Sequence, residues 1–329
     1  MADETLREVS LQRIVAQRLA GPRFEDPADA VAHMGAMQGQ DLRAAAAAVA
    51  LRCVPGAPSL PHALEAGTVV RSWPMRGTLH LITPAHLPGV LALTAERQLR
   101  SDTRRREALG ITEAVVDRAA ALALSRIDDD GPASRSELTT AWAPLGVDQP
   151  GMAYHLLYTL CLRGVLVQGP PHPSRASEQL FVRYGSRVPP SGMGGANVAG
   201  DGEGLAWWAG VYARSHGPVT EGDLARWTAL PKVACRRALE AAASGGAIEE
   251  VEIGGVRHWR DPAVPGLLEE YRAEAEAELL TPAFDELILG YADRTATLAA
   301  EHEAAVVPGR NGVFRPVAVR GGRAYGTWA

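Results

Sequence analysis

Lysine is nearly absent from this chain of 329 residues: Lys232 is its one example, and arginine supplies the other basic side chains. Cysteine is almost as scarce. Cys53, Cys161 and Cys235 are odd in number and far apart, which argues against a disulfide framework and against zinc-ligand spacing, so reduced, structural thiols are expected. No uninterrupted apolar run reaches the roughly 18 residues of a membrane-spanning helix, and the opening segment lacks the basic-then-apolar order of a secretory leader. A cytoplasmic protein, with no membrane partner, is expected. The nine histidines show no metal-ligand pair, and no glycine-rich phosphate loop occurs in the right setting, so neither metal nor cofactor is expected. A basic balance is missing as well: the net charge is −5 and the isoelectric point is near 6.0. Phosphate contacts usually give a nucleic-acid-binding domain the opposite sign, and composition alone therefore does not suggest DNA.

What is present is a chain with 47% apolar and 22% charged residues, enough to bury ordinary cores in two or three compact units. Basic residues cluster locally, as in Arg104-Arg105-Arg106, which leaves room for one basic face on an acidic body. The same enrichment in Ala, Gly and Arg is also what a GC-rich genome produces.

Three stretches repeat one order of elements, helix, short helix, longer apolar helix and two extended runs, which is how a winged helix-turn-helix reads. The first has helices over 11–19 and 26–37, an Ala-rich run at 42–53 that is ambiguous between helix and strand, a helix over 59–66 and extended runs over 68–73 and 77–82. The second has helices over 112–127, 134–142 and 151–163, then strands at 165–167 and 180–184 joined by a polar wing tip over 169–179. The third runs through helices over 204–215, 220–227 and 231–243 to strands at 247–253 and 256–260, with Thr220 as an N-cap and Pro231 in the first turn of the last helix. Residues 189–204, rich in Gly and Pro, read as a linker. Beyond Pro265 a helix ends near Leu279, and alternating runs at 313–319 and 323–328 suggest a small β unit. The expected fold is mainly α with small β: three tandem winged helix-turn-helix modules at 1–90, 91–190 and 200–264, plus a C-terminal β unit at 265–329. Such modules can form a concave DNA-binding surface, and each can equally serve as scaffold.

Four segments stand out. They are Met37-Gln38-Gly39-Gln40-Asp41, the run 73–80 containing Arg76 and His80, the run 284–294 from Phe284 to Arg294, and Asn311-Gly312-Val313-Phe314-Arg315-Pro316. In this order, and over nearly the whole chain, they resemble the winged-helix DNA glycosylases of the azinomycin cross-link repair type, which remove alkylated bases from DNA. The resemblance implies a catalytic Gln-x-Gln pair, Gln38 and Gln40. It implies that Arg76 and His80 line the site or hold backbone phosphates. Asp293 and Arg294 would line the DNA channel or pair as a structural ion bridge, and the wing tip carrying Arg175 would enter the minor groove or stand as an ordinary exposed hairpin. The chain departs from its relatives in two places: Gly39 stands where they carry an aliphatic residue, and the sequence stops shortly after Gly326-Thr327-Trp328. Looser water positioning and a shortened β unit are the expected consequences.

Breaking an N-glycosidic bond passes through an oxocarbenium-like state that a positioned water captures. A Gln amide orients water but is a poor base, so a site built on two of them suits bases that already carry positive charge, such as N7- or N3-alkylpurines. If the chain is extended after the second helix, Gln38 and Gln40 project to one side and can hold one water, while Asp41 faces away in a capping or salt-bridge role. Read from the residues alone, the two Gln side chains can instead satisfy backbone groups at a helix C-terminus, and His80 can be a hydrogen-bonded core histidine. Trp207, Trp208 and Trp227 read as core. The expected function is a cofactor-free, monomeric glycosylase acting on alkylated purines in double-stranded DNA, with bulky adducts and inter-strand cross-links within reach. The alternative, which Gly39 and the acidic balance keep open, is a non-catalytic winged-helix protein that regulates transcription or senses damage.

Overall fold

The computed structural model describes residues 3–189, 202–310 and 312–328. Contacts divide the chain into two units, Met1–Ser59 with Ala196–Ala329, and Leu60–Gly195. Most of the linker reading at 189–204 lies outside the described residues.

The first unit opens with α1 (Asp3–Ala16), α2 (Pro27–Met34), the short strand β1 (Ala36–Gln38) and α3 (Leu42–Leu51). Asp26 caps α2 and Pro27 takes its first position, where the missing N–H breaks no intrahelical bond. The ambiguous run at 42–53 is helical over most of its length: its alanines favour the helix, and Asp41 provides the N-cap.

The second unit contains α4 (Leu60–Ala66), β2 (Val70–Met75), β3 (Thr78–Ile82), α5 (Leu87–Ala108), α6 (Glu113–Asp130), α7 (Arg135–Ala141), α8 (Met152–Leu162), β4 (Leu166–His172) and β5 (Arg175–Arg183). Within it β3, β2, β4 and β5 are successive antiparallel neighbours. The boundary at 59/60 falls inside the span expected for the first module, because β2 pairs with β4 and packs on α5 and α8. The expected wing tip at 169–179 needs correction. Strands β4 and β5 continue to a turn at Pro173-Ser174, so most of that segment is strand. The register shifts at Pro171, and proline, which lacks an N–H to donate, is tolerated at such an irregularity.

The chain then returns to the first unit. There α9 (Glu203–His216), α10 (Glu221–Thr228) and α11 (Lys232–Ser244) lead into the hairpin of β6 (Glu249–Ile253) and β7 (Val256–Arg260). Thr220 and Asp223 close a capping box on α10, and Pro231 is the N-cap of α11, one position before the place expected for it. Trp208 and Trp227 are fully buried and stack at 5.1 Å between centroids. The unit ends with α12 (Val264–Glu276), β8 (Leu279–Thr281), α13 (Glu286–Leu289), α14 (Glu303–Val306), β9 (Val317–Arg320) and β10 (Arg323–Thr327), the three strands forming an antiparallel sheet in the order β10-β9-β8. These last residues share a core with the N-terminus: Leu11, Ile14 and Val15 of α1 pack in one buried cluster with Leu268, Leu287, Val317 and Val319.

Candidate active site

Gln38 sits where a helix gives way to an extended link. Gly35 ends α2 at φ 76°, and a Cβ there would lie 2.8 Å from Val211 Cγ1, so the close approach of this turn to α9 requires glycine. Ala36, Met37 and Gln38 follow as β1, all three buried. Asp41 Oδ1 accepts from the N–H of Arg43 at 2.9 Å and of Ala44 at 3.0 Å, which starts α3. The Gln38 side chain folds back on its own chain, its Oε1 accepting from the N–H of Gly39 at 2.8 Å and of Gln40 at 3.1 Å. Gln38 is 8% exposed, whereas Gln40 lies at the surface. The acceptor end of Gln38 therefore locks the 38–40 segment, and Gln40 is the exposed member of the pair.

The backbone N–H of Gln38 donates to Glu286 Oε1 at 3.1 Å. Glu286 is 1% exposed, and its Oε2 lies 3.6 Å from Nε2 of the buried His216. Ser215 Oγ is 2.8 Å from His216 Nδ1, and Tyr212 stacks on the imidazole at 4.6 Å between centroids. Burial holds the His216 pKa below its ordinary value although Glu286 pulls the other way, so the ring is neutral near pH 7. From His216 a polar chain runs through the interior. Tyr291 donates its hydroxyl to the His216 carbonyl at 2.8 Å and accepts from Gln17 Nε2 at 2.8 Å. Gln17 Oε1 accepts from Arg52 Nη2 at 2.6 Å, and Arg52 grips Asp285 through both carboxylate oxygens at 2.9 and 3.1 Å. Asp285 also caps α13. One segment, 284–294, thus supplies anchors for α3, for α9 and for the Gln38 backbone.

Asp293 and Arg294 close that segment, and each has other partners, in place of the ion bridge considered between them. Asp293 Oδ1 accepts from Thr295 at 2.9 Å (N–H) and 2.6 Å (Oγ). Burial raises the Asp293 pKa, but the Thr295 bonds and the charges of Arg13 and Arg294 outweigh it and leave a net lowering. Arg294 donates to the Ile288 carbonyl at 3.0 Å, approaches Glu303 at 3.5 Å and lies over the Phe314 ring at 5.2 Å. The 284–294 and 312–316 segments meet here, with Phe284 and Phe314 at 6.2 Å between centroids.

In the second unit Arg76 Nη2 lies 3.0 Å from His80 Nε2, and His80 Nδ1 lies 2.8 Å from the Thr78 carbonyl. A carbonyl only accepts, so Nδ1 carries the hydrogen and Nε2 accepts from Arg76. His80 is fully buried. The pair therefore braces the β2–β3 turn, where Arg76 and Gly77 both adopt positive φ, at 58° and 67°. Arg175, at the start of β5, is exposed and pairs with Glu178 at 2.7 Å. Among the described residues no group of three or more His, Cys, Asp or Glu is placed to hold a metal ion, and no helix is long and apolar enough to cross a membrane. Cys53, Cys161 and Cys235 are free and buried, and burial raises their thiol pKa values.

A model of the family of AlkZ-like DNA glycosylases matches residues 31–329. The chain belongs to that family. The interstrand DNA cross-link repair glycosylase of Streptomyces sahachiroi is 26% identical over 340 residues, covering 98% of this chain and 87% of that protein. The solved structure of the Streptomyces sahachiroi DNA glycosylase AlkZ matches with a TM-score of 0.78 at 25% identity, over 98% of this chain and 87% of that one. The family resemblance carried by the four sequence segments is thus the family found.

In this member of the AlkZ-like family, the acidic residues at the start of the 284–294 segment hold its partners together, beyond the Asp293 and Arg294 that the sequence points to. Asp285 and Glu286 precede Leu287-Ile288-Leu289, and two carboxylates at the mouth of an apolar run are a signal of buried, partnered acids. No comparable signal marked His216 or Arg52, whose partners are remote in sequence.

Proposed function

We propose that the chain hydrolyses the N-glycosidic bond of cationic N7- or N3-alkylpurines in double-stranded DNA, as a monomeric, cofactor-free glycosylase of the cytoplasm, with Gln38 and Gln40 as its catalytic residues. The observation that carries this reading is the 38–40 segment, where Gln38 is held by two backbone N–H groups and by Glu286 while Gln40 meets solvent. Such a site supplies orientation more than proton transfer. Asp41, the carboxylate next to it in sequence, is spent on capping α3, and Glu286 is closed off from water. A site with amides in place of an accessible general base suits a leaving group that is already a cation, because the bond then breaks without prior protonation of the base. Extrusion from the stack is then not a requirement, and bulky adducts and inter-strand cross-links fall in the same range. The name of the Streptomyces sahachiroi relative, a cross-link repair glycosylase, supports that extension.

In this reading α6–α8 with the β4–β5 hairpin and α9–α11 with the β6–β7 hairpin are winged helices that bind DNA, the β4–β5 hairpin with Arg175 approaches the minor groove, and Asp293 borders the DNA. The test is base release from duplex DNA carrying N7-methylguanine. Replacing both Gln38 and Gln40 by Ala should lower release by about 100-fold or more while DNA affinity stays within a few-fold, since lost positioning costs rate more than binding. Undiminished release by the double variant sinks the mechanism. Tight DNA binding with no release by the wild type selects the non-catalytic regulator or sensor.

A further inference from the structure

Glu286 is a buried carboxylate that faces the proposed catalytic segment from behind, through a bond to its main chain. Its Oε1 accepts the Gln38 N–H at 3.1 Å, and the same residue is 1% exposed, so water does not compete for that bond. Its backbone is anchored in turn. Asp285, the preceding residue, caps α13 and is held by both terminal nitrogens of Arg52. On its other oxygen Glu286 meets His216 at 3.6 Å, and Gly290 leaves room for this pair: a Cβ there would lie 2.9 Å from His216 Cδ2 and 3.2 Å from Glu286 Oε2.

We propose that Glu286 is a positioning residue for the Gln38 amide, fixing the peptide plane of Gln38 so that its side chain enters the site in one orientation. The inference rests on the reading of Gln38 as a catalytic residue. A peptide plane free to rock carries its side chain with it, and the second lock, from Gln38 Oε1 to the N–H groups of Gly39 and Gln40, holds only within the loop itself. Glu286 links that loop to the buried interior through the Gln38 main chain.

The experiment uses the full chain with selective ¹⁵N-glutamine labelling and single-turnover release of N7-methylguanine, for Glu286→Ala, Glu286→Asp and Glu286→Gln. Removing the carboxylate, or withdrawing it by one methylene in Glu286→Asp, should lower the release rate by about 100-fold with DNA affinity unchanged, the cost of a displacement near 1 Å. Glu286→Gln keeps an acceptor in place and should recover most of that loss, to within about tenfold of the wild type, because a neutral acceptor is weaker than an ionised one. Once Gln38 is Ala, Glu286→Ala should cost nothing further. Independently of activity, the Gln38 amide proton should exchange slowly and resonate downfield in the wild type and Glu286→Gln, and lose both features in Glu286→Asp. An unaltered Gln38 amide in Glu286→Asp, or losses that simply add to those of Gln38→Ala, overturns the proposal. If the wild type releases no base, the glycosylase reading fails alone, and the amide signal still decides whether Glu286 holds Gln38.

Discussion

Arg52 and Asp285, far apart in sequence, form a bidentate ion pair in which the two side chains are 0% and 1% exposed. The pair ties the end of α3 to the start of α13, and through α13 to the loop that bears Gln38.

Breaking that pair from one side should be severe. Arg52→Met leaves the Asp285 carboxylate buried without its cation, and a loss of about 3–5 kcal/mol is expected in urea unfolding. The double replacement Arg52→Met/Asp285→Asn should cost less than the sum of the single ones. Additive losses would show that the two residues act separately.

Acid should destabilise the fold through the half-buried His33 and the buried His216. Burial takes the His33 pKa from 6.5 to about 4, and it lowers that of His216 as well. An unfolded chain takes up these protons as the pH falls below about 6.5, and the folded chain does not, so stability is full above that pH and is lost on acidification toward 4. For His33 the full loss is roughly 3 kcal/mol. His33→Gln can still donate to the Ala16 carbonyl, which His33 Nε2 contacts at 2.7 Å, and it should flatten the dependence of unfolding free energy on pH between about 7 and 5. An unchanged slope would place the titrating groups elsewhere.

Gly35→Ala should harm both stability and chemistry. Its φ of 76° disfavours any side chain, and the new Cβ would press on Val211 at 2.8 Å, so a cost of about 2–4 kcal/mol is expected. Base release should fall more than DNA affinity does, because β1 and Gln38 begin directly after this turn. A variant as stable as the wild type would show that the contact with α9 relaxes freely.

Arg175→Ala tests the β4–β5 hairpin as a DNA contact. If Arg175 neutralises one phosphate near the minor groove, the slope of log affinity against log salt should fall by about one, with release at saturating enzyme unaltered. An unchanged slope puts the hairpin tip off the DNA. His80 is buried against Arg76 and Thr78, and its replacement should lower the melting temperature and leave the salt slope alone.

The elements that could be read from sequence are those whose causes are local. Thr220 three residues before Asp223, Pro231 ahead of an apolar helix and Asp26-Pro27 ahead of another all announce helix starts within one turn of chain, and α10, α11 and α2 begin there. Alternation did the same for the β6–β7 hairpin. The wing tip is shorter than the 169–179 that Gly and Pro predict, because the β4–β5 register absorbs these residues within the strands. The Gln-x-Gln segment is equally visible, and of the capping and salt-bridge roles open to Asp41 the structure shows the cap.

Local sequence thus determined the starts of α2, α10 and α11, the β6–β7 hairpin, the Gln38-Gly39-Gln40 segment and the family. The tertiary fold alone decided which polar groups are buried together: Glu286 against the Gln38 backbone, Arg52 against Asp285, and His216 between Glu286 and Tyr212. Helix caps and strand alternation act between neighbours in the chain, but the free energy of a buried carboxylate depends on partners more than 200 residues away. Only when the chain has closed around α13 does an acidic residue ahead of three apolar ones become the acceptor that holds the proposed catalytic glutamine.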